Sequence, residues 1–97
     1  MSEAPDPEVV ELATKIFDLA RQGETEQLVA YVDAGVPANL TNDRGQTPLA
    51  GAVFKGETDV VKALLEGGAD PAAGTPSAVD TARMFARTEL LELFGES

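Results

Sequence analysis

The sequence predicts an all-α solenoid of about three stacked helix-turn-helix units. Two observations carry that expectation: a glycine-centred segment recurs at a fixed interval together with its apolar neighbours, and each recurrence holds start and stop signals for two short helices. Gly23-Glu24-Thr25-Glu26 returns as Gly56-Glu57-Thr58-Asp59, an offset of 33 residues (56 − 23). At that offset Thr14 falls on Thr47, Ile16 on Leu49, Leu28 on Val61, Tyr31 on Leu64, Val32 on Leu65 and Gly35 on Gly68. A third copy follows 30 residues on (82 − 52): Ala82 answers Ala52, Leu90 answers Val60, Leu91 answers Val61 and Phe94 answers Leu64. The shortening falls between Gly67 and Ser77, where Pro71, Gly74 and Pro76 crowd together. Loops absorb such deletions more readily than helices do.

The elements follow in order. Asp6-Pro7-Glu8 opens the first unit with a capping acid, a proline at the first helical turn and negative charge at the positive end of the helix dipole. Helices are expected at about 7–21 and 25–34. In the middle unit Thr47 caps a helix beginning at Pro48, with Leu49, Ala52 and Val53 on one face and Gly56 as its stop. A second helix is expected from Thr58 to Glu66. Val60, Val61, Leu64 and Leu65 form its apolar stripe, and Glu57, Asp59, Lys62 and Glu66 face water. The last unit offers helices at about 76–86 and 88–95. The whole chain, 1–97, reads as one domain with a capping unit at about 7–40, an internal repeat at 41–73 and a second cap at 74–97. A lone helix pair cannot bury its apolar sides, whereas stacked pairs build one continuous core. Small residues such as Ala50, Gly51, Ala52 and Ala63 allow the close approach that stacking needs.

Composition narrows the functions. The chain has 17 acidic and 7 basic residues, a net charge of −10. Such a surface repels phosphates, so neither nucleic acid nor an anionic membrane is expected as a partner. No stretch approaches the roughly 20 apolar residues of a membrane span. The opening residues Met1 to Asp6 lack the apolar core of a secretory signal. Cysteine is absent, consistent with a reducing cytoplasm. Histidine is absent as well, which removes Ser-His-Asp and Cys-His chemistry and His-rich metal sites. The carboxylate pairs Glu8/Glu11 and Glu89/Glu92 share helix faces but read as solvated surface, because a catalytic carboxylate needs a pocket to shift its pKa. No cofactor, metal or catalytic residue is expected, and the chain is read as a non-enzyme.

Asp43-Arg44-Gly45-Gln46-Thr47-Pro48-Leu49, continuing to Glu66-Gly67-Gly68-Ala69-Asp70-Pro71, closely resembles the ankyrin repeat. The match is weaker in the first unit, with Thr14-Lys15-Ile16 and Gly35-Val36-Pro37-Ala38-Asn39, and weakest in the third, with Ser77-Ala78-Val79-Asp80. The family histidine after Thr-Pro-Leu is Ala50 here, and the one after the mid-repeat glycine is Glu57. The chain is also similar to short bacterial ankyrin-repeat proteins, with one internal repeat fewer, since Asn39-Leu40-Thr41-Asn42 runs directly into Asp43. The resemblance implies an ankyrin-repeat solenoid with projecting β-turn loops. It also implies a cytoplasmic, non-catalytic module that binds a protein partner through its loop tips and inner-helix ends. The positions it points to are Thr41, Asp43, Arg44, Gln46, Phe54, Lys55, Arg83 and Met84. The alternative is a minimal or engineered repeat scaffold with no dedicated partner. The final helix places Leu90, Leu91, Leu93 and Phe94 close together, with Leu93 left partly exposed. Against that apolar end stands the net charge, so the chain is expected to be mainly monomeric, dimerising weakly as salt and concentration rise.

Overall fold

The computed structural model describes residues 6–96. The expectation for Met1 to Pro5 as part of a non-secretory N-terminus lies outside the described residues. The elements are α1 (Pro7–Gln22), α2 (Thr25–Asp33), α3 (Pro48–Lys55), α4 (Thr58–Glu66), α5 (Ala78–Met84) and α6 (Thr88–Leu93). No strand occurs among the described residues. The body is elongated, 45 × 26 × 20 Å. Helix α3 packs between α1 and α5, and α4 packs between α2 and α6. The result is two layers, inner α1-α3-α5 and outer α2-α4-α6, stacked along one axis as a solenoid.

Each inner helix starts on a side-chain cap. The Glu8 amide donates to Asp6 Oδ1 at 2.9 Å, the Ala50 amide to Thr47 Oγ1 at 3.1 Å, and the Asp80 amide to Ser77 Oγ at 3.1 Å. Thr47 is fully buried, and this bond satisfies its hydroxyl in the core. The core holds Ile16, Leu28, Leu49, Val53, Val60, Val61 and Leu64, all fully buried and drawn from both layers.

The last unit departs from its expected bounds. Helix α5 was expected over 76–86 but covers Ala78–Met84, because Ser77 serves as its cap and Phe85 has already left helical geometry. Ala86 then stands where the earlier units place Gly23 and Gly56. Its φ is 53°, against 76° and 74° for the two glycines. A side chain in this left-handed region costs about 1–2 kcal/mol. Ala86→Gly is therefore expected to stabilise the protein by about 1 kcal/mol and raise its melting temperature by about 4–8 °C. A melting temperature that stays put or falls would contradict this account of the joint. Helix α6 ends at Leu93, short of the expected residue 95. Leu90 is buried while Leu93, the last residue of the helix, is 42% exposed.

Two loops join the pairs on the same side. In residues 34–47, Asn42 Oδ1 accepts from the amides of Arg44 and Gln46, both at 3.0 Å, and closes a tight turn. In residues 67–77, the Asp70 amide donates to Asn39 Oδ1 at 2.8 Å and the Thr75 amide to the Gly45 carbonyl at 3.2 Å. The shorter second loop thus lies against the first.

Candidate functional site

The inner layer and the first loop enclose one open groove of about 450 Å³. Phe17 and Arg21 come from α1, Ala50, Gly51 and Phe54 from α3, Thr81 and Met84 from α5, and Phe85 from its cap; Arg44 and Gln46 reach in from the loop. The small residues of α3 make this floor. A methyl group added at Gly51 would lie 2.8 Å from Phe17 Cε1 and 3.1 Å from Arg21 Cγ, so α1 and α3 approach closely only because position 51 has no side chain.

Three apolar side chains stand open at the far wall. Phe54 is 47% exposed, Met84 63% and Phe85 46%. The Phe54 and Phe85 rings meet edge to face with centroids 5.1 Å apart, a geometry that aromatic quadrupoles favour. Arg87 Nη2 donates to the Phe54 carbonyl at 3.0 Å and so ties the start of α6 to the end of α3. At the near wall the Arg21 guanidinium lies 5.7 Å from the Phe17 ring centroid and 3.7 Å from Asp18 Oδ1. Arg44 is exposed and makes no ion pair among the described residues.

The eight positions expected from the sequence divide. Arg44, Gln46, Phe54 and Met84 line the groove together. Thr41 and Asp43 are exposed on the loop, and Lys55 is exposed at the end of α3, none of them on the lining. Arg83 is drawn away by Glu96 Oε1 at 2.7 Å and by Asp80 Oδ1 at 3.9 Å. Phe17, Arg21 and Phe85 line the groove as well, over Ala50, Gly51, Pro76 and Thr81. The repeat register carries a signal for the first two: 33 residues before Phe54 is Arg21, and 33 before Ala50 is Phe17. Phe85 answers Lys55 at the 30-residue offset of the last unit; it caps the end of α5, and its ring meets Phe54 edge to face.

The carboxylates of Glu8, Glu11, Glu89 and Glu92 are exposed. Among the described residues no group of three or more acidic side chains could hold a metal ion. No described helix is long and apolar enough to cross a membrane.

A paired-helix stack with capped inner helices and same-sided loops defines a class, and sequence comparison agrees with it. Residues 44–76 match the ankyrin repeat model. An ankyrin repeat protein of Pseudomonas aeruginosa is 36% identical over 66 residues, covering 64% of this chain and 39% of that protein. The human DNA-binding protein RFXANK is 48% identical over 59 residues, 58% of this chain and 22% of its own length. The Arabidopsis thaliana acyl-CoA-binding domain-containing protein 2 is 36% identical over 55 residues, 57% of this chain and 16% of its own length. The matched segment, residues 44–76, is an ankyrin repeat, and the helix pairs on either side of it stack in the same manner. The chain spans well under half the length of these relatives, which differ in what their names say they bind. Ankyrin repeats generally mediate protein–protein interaction, and the family is typically non-enzymatic.

Proposed function

We propose that this chain is a non-catalytic protein-interaction module whose docking face is the groove between the loop tip and the inner helices. The observation that carries the reading is the cluster of Phe54, Met84 and Phe85. Three large apolar side chains stand together at the surface. Contiguous exposed apolar surface rimmed by polar groups marks interaction sites, and aromatic anchors in such patches supply much of the binding energy. Arg44 and Gln46 extend the face at the loop, with Thr41 and Asp43 at its outer margin. Lys55 and Arg83 belong to its periphery. The partner is a protein, and the chain is mainly monomeric, dimerising weakly as salt and concentration rise.

Affinity capture with the wild-type chain and with Met84→Glu tests this. Met84 is the most exposed of the three, so the substitution leaves the core alone. A partner held by the wild type is expected to be lost from the variant, by tenfold or more in affinity. A partner that binds both equally and crosslinks to α2, α4 or α6 would move the docking face to the outer layer.

A further inference from the structure

We propose that the groove takes a peptide segment in which an aromatic or leucine side chain is flanked by carboxylates. The inference rests on the groove being the docking face and names the chemistry of its occupant. Its basis is charge complementarity within the lining. The chain holds 17 acidic and 7 basic residues, so a patch of its surface drawn without regard to sign carries mostly carboxylates. The groove does the opposite: its charged lining residues are Arg21 and Arg44, with no Asp or Glu among them.

The two arginines are placed to receive anions beside an apolar anchor. Arg21 stands on α1 with its guanidinium over Phe17, and Arg44 stands on the loop that borders the same groove. Asp18 engages Arg21 only at 3.7 Å, on an exposed surface where such pairs contribute little. A planar guanidinium can take a carboxylate through two parallel hydrogen bonds, which are stronger and more specific than neutral ones. Between the arginines and the Phe54–Phe85 pair, the open volume of the groove, about 450 Å³, admits a bulky side chain.

The net charge of −10 works against an acidic segment at long range. Screening confines that opposition, because the Debye length at physiological ionic strength is about 8 Å. The acidic residues of the outer layer, Glu26, Asp33, Asp59, Glu66, Glu89 and Glu92, lie on α2, α4 and α6, outside the groove lining. A carboxylate seated against Arg44 feels the guanidinium directly and those charges weakly. The field of the whole chain then slows association without reversing the preference in the bound state.

The test is selection of a random peptide display library on the full chain, followed by amide-shift mapping and affinity measurement of the enriched sequences. Enriched peptides are expected to carry Asp or Glu within a few positions of Phe, Leu or Met, and to move the amide signals of Phe54, Met84 and Phe85. The double variant Arg21→Gln/Arg44→Gln, folded with an unchanged melting temperature, is expected to bind them about tenfold more weakly. Enriched peptides with neutral or basic flanks that still map to the groove would overturn the acidic preference while leaving the docking face in place. Peptides mapping to the outer layer would overturn both. Displacement of the selected peptides by a single-stranded oligothymidylate would overturn the inference by making the arginines a phosphate site.

Discussion

Leu64→Ala is expected to leave the protein largely unfolded at physiological temperature. Leu64 is 1% exposed, on the face of α4 turned to the inner layer, within the core cluster that includes Val60, Val61 and Leu28. Removing such a side chain loses its transfer free energy and leaves a cavity, for about 2–5 kcal/mol. Domains of this length hold about 5–15 kcal/mol in total, and a short stack with thin caps belongs at the lower end. The melting temperature should fall by about 10–30 °C. The periodicity treats Leu65 as an equal member of the apolar stripe, which by itself predicts equal severity for Leu65→Ala. The structure separates them: Leu65 is only partly buried, packed against the edge of the core, and its truncation should cost less than half as much. Thermal melts of both variants followed by circular dichroism decide it. Equal losses would show that α4 is rotated from the orientation described.

Gly74→Ala is the second large effect. Gly74 lies in the shortened loop with φ at 92°, where a side chain is strained whatever the space around it. Space is lacking too. The added methyl would sit 2.9 Å from Thr47 Cγ2 and 3.3 Å from the Gly45 carbonyl. Thr47 cannot yield easily, because it is buried and its hydroxyl caps α3. Strain and overpacking together should cost about 2–4 kcal/mol. Gly68→Ala is the control, with φ at 94° and nothing within 4 Å of the added methyl. It carries the strain alone, about 1 kcal/mol. A chemical denaturation series in which the two variants lose equal stability would show that the loop contact around Thr47 contributes nothing.

The middle of the chain was legible and its last third less so. Thr47, Pro48, Gly56 and the Thr58–Glu66 stripe mark α3 and α4 at the bounds the structure has, because cap, proline and glycine each act within one turn of the residue that bears them. The end of α5 was not legible. Its stop depends on Ala86 adopting a left-handed conformation that alanine's own preferences oppose. The same holds for part of the site. Phe54 and Met84 follow from the repeat register, but Phe85, which meets Phe54 from the cap of α5, does not. Phe17 and Arg21 were within reach of the register and needed it carried backward into the first unit, where the motif itself is weak. Arg83 shows the opposite limit: its position fits the face, while its ion pairs with Asp80 and Glu96 come from folding and leave no trace in local pattern.

The groove draws its walls from all three helix pairs, and this links recognition to the integrity of the stack. No single unit holds Arg21, Phe54 and Phe85, so a chain with one end frayed has no complete face to offer. Whatever occupies the groove binds the assembled array and not its fragments, and by mass action it holds the array together. A ligand at a hundred times its dissociation constant adds about 2.7 kcal/mol to the folded state. That is comparable to what a single buried leucine contributes here. Occupancy should therefore sharpen the melting of this short array, and a saturating partner should restore much of the order that Leu64→Ala takes away.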